Sequence, residues 1–103
     1  MPLDPSDIER SLQSIGHEAF PENADVRWVV RGIIEKGGFC CVQAEPFPPT
    51  VGYAQLRFVL SRGPDGALVD HGCYCLDHGG WELLYTTPGT SDEWNALGFD
   101  EAA

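Results

Sequence analysis

The sequence predicts an α+β domain: an N-terminal helix, joined by a second over 26–36, packed on a four-stranded antiparallel sheet. The last three strands form a meander over 53–87, and a short helical turn follows near the C-terminus. Three observations predict this. Ile8, Leu12, Ile15 and Ala19 recur at helical spacing; from Phe39 onward apolar and β-branched runs are cut by Gly and Pro; and 103 residues, 43% hydrophobic, suffice for one modest core. One domain over 1–103 follows.

The first helix starts with Ser6 as its cap. Glu9, three residues on, completes a capping box, and Asp7 adds favourable charge to the first turn. Glu9, Arg10 and Gln13 are left to water, and Phe20-Pro21 ends the helix because the residue before proline avoids the α region. Residues 26–36 fit two patterns. Val26, Val29, Val30, Ile33 and Ile34 make an amphipathic helix stopped by Lys36-Gly37-Gly38. Val26, Trp28, Val30 and Ile34 also alternate as a strand, with the glycine pair as a hairpin turn. The helix is narrowly favoured; the alternative is a five-stranded sheet with one helix.

The strands follow in order. Phe39–Gln43 is short and stopped by Pro46, Pro48 and Pro49. Tyr53–Arg62 turns at Gly63-Pro64-Asp65-Gly66 into Ala67–Leu76, and His78-Gly79-Gly80 turns that into Trp81–Thr87. Ser91 then caps a helical turn through Asp92, Glu93 and Trp94, with Gly98 as its stop. A four-residue loop at 63–66 pairs Leu60 with Val69, Phe58 with His71, Leu56 with Cys73 and Ala54 with Cys75. His71, Cys73 and Cys75 then share the core face with Leu56, Phe58 and Leu60, while Asp70 and Tyr74 face away. Trp81, Leu83 and Tyr85 also face away unless a bulge intervenes. The second face needs a cover of its own, supplied by the Trp94-Leu97-Phe99 tail, a partner or a second copy.

The segment 70–78 is the one stretch dense in chemical residue types. Alternation places His71, Cys73, Cys75 and Asp77 on one side of one strand, all of them zinc-binding types. A regular strand is a poor cradle for Cys-x-Cys, and Cys-x-x-Cys is absent, so zinc on this strand is an alternative to buried thiols. A nucleophile assembled from Cys73, His71 and Asp70 fails on direction. No enzyme and no cofactor are expected.

Charge is the remaining signal. Sixteen acids face six bases for a net charge of −10, and from Gly63 to Ala103 there are eight carboxylates and no Lys or Arg. Arg27, Arg31, Lys36, Arg57 and Arg62 make the middle of the chain basic. A helix over 26–36 with Val26-Arg27-Trp28-Val29-Val30-Arg31, followed by two strands and a Pro-rich loop, resembles the recognition helix and wing of winged-helix regulators over a minor part of the chain. That resemblance implies DNA binding. The charge opposes it, since too few cations remain to drive counterion release.

A field of this sign repels nucleic acid and anionic membrane and steers the chain toward basic surfaces. Without a basic, apolar leader or a membrane-length apolar run, a cytoplasmic protein with reduced thiols is expected, of bacterial or phage origin. The functional expectation is a small acidic protein-binding module. It would act as an inhibitor that occludes a basic or nucleic-acid-binding surface of a larger protein, as anti-defence, anti-CRISPR, immunity and DNA-mimic proteins do. The expected contacts are Asp70, Asp77, Glu82, Asp92 and Glu93, anchored by Trp81, Tyr85 or Trp94, with a homodimer as a further option.

Overall fold

A computed structural model describes residues 5–21, 26–47, 54–77, 80–87, 94 and 97–99. The elements run α1 (Pro5–Ala19), β1 (Arg27–Lys36), β2 (Phe39–Phe47), β3 (Leu56–Arg62), β4 (Leu68–Asp77) and β5 (Gly80–Thr86). The strands form one antiparallel sheet in the order β1-β2-β3-β4-β5. One helix on five strands is the alternative architecture; the favoured four-stranded form is incorrect.

The difference lies in residues 26–36, which are strand. Gly37 and Gly38 have φ of 57° and 84°, and Lys36 pairs with Phe39 across them. Two consecutive positive φ values make a two-residue hairpin turn that matches strand twist, and this pair of glycines permits it. The helix-like spacing has a local cause. The register of β1 against β2 shifts between Val30 and Gly32, and this bulge turns a period of two into the sequence Val26, Trp28, Val30, Ile33, all packed on one core. With the helix gone, the resemblance to a winged-helix regulator goes too.

α1 begins at Pro5, one residue before the predicted cap, so Ser6 lies inside its first turn, where proline at the start is favoured. Ile8 and Leu12 are fully buried against the sheet. Gln13 is a correction, because its side chain meets the backbone of the edge strand. Its Nε2 donates to Trp28 O at 2.8 Å, and its Oε1 accepts from Trp28 N at 2.8 Å. The amide thus serves both backbone groups of Trp28 as a neighbouring strand would. Gly16 lets the helix approach so closely: a Cβ there would lie 2.0 Å from Trp28 Nε1.

β2 runs through Pro46 to Phe47, four residues beyond its predicted end. The proline is tolerated because β3 pairs only with residues 40–44, leaving β1 alone beside Pro46. The β3–β4 register differs from expectation by two one-residue shifts. Arg62 pairs with Leu68, so the loop holds five residues, closed by Gly63 N–H on Ala67 O at 2.7 Å. A bulge at His71 adds the second shift, so that Val59 meets Gly72 while Leu60 meets Asp70. Two shifts restore parity: Phe58 pairs with Cys73 and Leu56 with Cys75, and both cysteines lie on the helix face as expected. Between the shifts parity is reversed, which brings Asp70 to the helix face and sends His71 to the other.

A further register shift lies in β5, where Cys73 pairs with Tyr85 but Tyr74 pairs with Leu83. It divides the aromatic residues between the faces. Tyr85 packs with the helix-face core, and Trp81 with Tyr74 on the opposite face. That second face is covered by the C-terminal segment, whose Trp94 and Phe99 are each 1% exposed. Trp94 lies on Gly72, where a Cβ would come within 2.6 Å of its ring. Arg57, buried beneath, donates from Nη1 to Phe99 O at 2.7 Å and stacks 4.1 Å from the Trp81 ring centre. The predicted turn at His78-Gly79 and the cap at Ser91 lie outside the described residues.

Candidate functional site: an acidic cleft at the end of the helix

The expected site residues separate. Tyr85 and Asp70 meet, with the Tyr85 hydroxyl donating to Asp70 Oδ2 at 2.7 Å. They line a cleft of about 550 Å³ with Glu18, Ala19, Val69, Thr86 and Thr87, where the last turn of α1 approaches the ends of β4 and β5. Glu82 is exposed on β5 and Trp81 half-buried on the opposite face. Trp94 is a core residue and offers nothing to a partner. Asp77 ends β4, and Asp92 and Glu93 lie outside the described residues.

Electrostatically the cleft is negative for three reasons. It holds Glu18 and Asp70; it lies at the C-terminal end of α1, where the helix dipole presents partial negative charge; and no cation contacts Asp70 among the described residues. Burial raises the Asp70 carboxyl above its usual range. Hydrogen bonds from Tyr85 and the Gly72 N–H oppose that shift, and the Glu18 charge reinforces it. Asp70 Oδ1 is buried and makes no hydrogen bond of normal geometry to the described residues. Burial and the neighbouring Asp70 likewise push the Tyr85 hydroxyl upward, so it stays a neutral donor. Two carboxyl groups and a hydroxyl, with Ala19 and Val69 as apolar wall, suit an ammonium or guanidinium on an aliphatic stem. Glu18 was absent from the expected contacts, although an acid in a last helical turn that holds no Lys or Arg was legible there.

The basic residues of β1 are engaged within the fold. Arg27 pairs with Glu9 at 3.2 Å, Arg31 with Glu45 across the hairpin, and Lys36 donates to Leu97 O at 3.4 Å. Among the described residues the exposed charge is mixed, with Glu18, Glu35, Asp65 and Glu82 beside Arg62 and the paired Arg27, Arg31 and Lys36.

The described residues of the zinc alternative do not come together. The bulge places His71 on the face opposite Cys73 and Cys75, and no three His, Cys, Asp or Glu residues come together in a way that could hold a metal. Burial raises the Cys40 thiol to about 11 and Cys41 to about 12, and lifts Cys73 well above its usual value. His71 instead meets Ser61, Nε2 to Oγ at 2.6 Å, with Phe39 edge-on at 5.1 Å. Burial holds its pKa below the usual value. Its Nδ1 is buried and without a partner among the described residues, so no third group orients the imidazole as a catalytic base requires.

No protein-family model, curated protein or solved structure matches this chain.

Proposed function

We propose that this chain is a small acidic protein-binding module that occludes a basic or nucleic-acid-binding surface of a larger protein, acting in the cytoplasm and catalysing no reaction. The observation that carries the reading is the cleft itself. Asp70 is held half-buried, with no cation beside it among the described residues and at a cost in desolvation, next to Glu18 and Tyr85. A protein acidic only for solubility gains nothing by burying a carboxyl in this way. A basic side chain of a partner would relieve that cost, which makes the same group unfavourable in the free protein and favourable in the complex. Anti-defence inhibitors, immunity proteins and nucleic-acid mimics use acidic surfaces in this manner.

The test is affinity capture from the native host with the wild-type chain and with the triple variant Glu18→Gln, Asp70→Asn, Glu82→Gln. The reading expects a captured protein with a basic surface that the triple variant fails to retain. Equal retention by both chains would overturn it.

A further inference from the structure

The sheet has two edges, and they are built differently. Both edge strands carry a bulge, near Arg31 in β1 and at Leu84 in β5, but on β1 alone the Gln13 amide occupies both backbone groups of Trp28, and Arg27, Arg31, Glu35 and Lys36 stud its length. These are devices that keep another chain from pairing. On β5, the last strand of the sheet, Glu82 is the single charged residue between Gly80 and Thr86. Leu83 is 48% exposed there, and Thr86 is exposed as well. The Thr87 N–H returns to His71 O at 2.9 Å, so backbone alternation turns the N–H and C=O of Thr86 away from β4.

We propose that the outer edge of β5 receives an extended, basic segment of the partner as a sixth strand, an inference that rests on the basic-partner reading above. Side chains alternate across a sheet, and a residue paired beside Tyr85 shares its face. A Lys or Arg there reaches the cleft of Glu18, Asp70 and Tyr85, while the next residue turns to the opposite face, where Leu83 pairs with Tyr74. The segment that fits therefore alternates basic with apolar residues. Main-chain pairing supplies affinity and the cleft supplies selectivity for charge. A second copy of this chain fits the edge poorly, since each copy carries a net charge of −10.

The experiment measures fluorescence anisotropy of a labelled short peptide alternating Lys and Val, beside the same peptide N-methylated on one or the other set of alternate residues. All three carry equal charge, and N-methylation removes backbone donors. Binding at low salt that one N-methylated set weakens by about tenfold, the worth of one or two backbone hydrogen bonds, supports strand addition. So does a similar loss in Thr86→Pro whose circular dichroism matches wild type. Equal binding of all three peptides would overturn strand addition while leaving a basic partner in place. Absence of binding by any of them would overturn it as well, as would a concentration-dependent dimer abolished by Thr86→Pro, which would make a second copy the occupant.

Discussion

Replacing Gly16 with Ala sets two effects of opposite sign against each other in one residue. Ala favours a helix interior over Gly by about 1 kcal/mol, so propensity alone predicts a more stable protein. The added Cβ, however, would lie 2.0 Å from Nε1, 2.4 Å from Cδ1 and 2.5 Å from Cε2 of Trp28. The indole cannot move aside easily. It is 1% exposed and lies between Phe20, at 5.5 Å between ring centres, and Phe58, edge-on at 5.4 Å. Overpacking of this kind costs about 1–3 kcal/mol, and loss of a buried Trp about 3–5 kcal/mol. The expected net is a destabilisation of about 2 kcal/mol, which lowers Tm by about 10 °C in a domain of this size. Thermal and urea melts read it directly. In Trp28→Phe, which lacks the five-membered ring facing Gly16, the same substitution should cost less, and the coupling appears in the double-mutant cycle. A rise of a few degrees in Tm for Gly16→Ala alone would refute the reasoning.

Three further outcomes follow from the same contacts. Gln13→Glu keeps the acceptor for Trp28 N–H but sets a carboxylate oxygen against Trp28 O, so it should lower stability by about 1–2 kcal/mol, read as a shift in urea midpoint at constant slope. Asp70→Asn should raise stability at neutral pH, because a carboxyl whose folded pKa lies above its unfolded value of 3.8 destabilises the fold increasingly as pH rises through that interval. The gap between variant and wild type should close as pH falls toward 3.8, and equal pH profiles would contradict the burial argument. Native protein at pH 8 should leave a thiol-reactive dye unconsumed at Cys40, Cys41 and Cys73 until denaturant is added, since their raised pKa values keep them protonated; a fast stoichiometric reaction would show an accessible thiolate.

The parts of the fold legible in the sequence were those set by local chemistry. The helical stripe of α1, the Gly63–Gly66 turn and the glycine after Leu97, with φ of 81°, needed only nearest neighbours to be read. The loop after Arg62 is one residue longer than the turn suggested, and the other errors of face share one cause. Bulges at β1, β4 and β5 each insert one residue into a ladder, and an inserted residue reverses every face assignment beyond it. In β1 the bulge imitated a helical period; in β4 it separated His71 from Cys73 and brought Asp70 to the helix face; in β5 it parted Tyr85 from Trp81. Gly72 beside His71 was the available signal, because a glycine within a strand marks a bulge or a close approach, and here Trp94 occupies the space above it. Trp94 itself was misjudged as an interface anchor, since sequence does not reveal which aromatic residues the chain's own tail will bury.

The central claim is that an acidic face recognises a basic partner, and the most direct measurement is the association rate with the captured protein by stopped flow as ionic strength rises from about 0.05 M to about 0.5 M. Across that range the screening length contracts to a few ångströms, and steered association falls with it. The account predicts a fall of about tenfold or more, reduced in the Glu18→Gln, Asp70→Asn, Glu82→Gln variant. A rate that does not change with salt would contradict it.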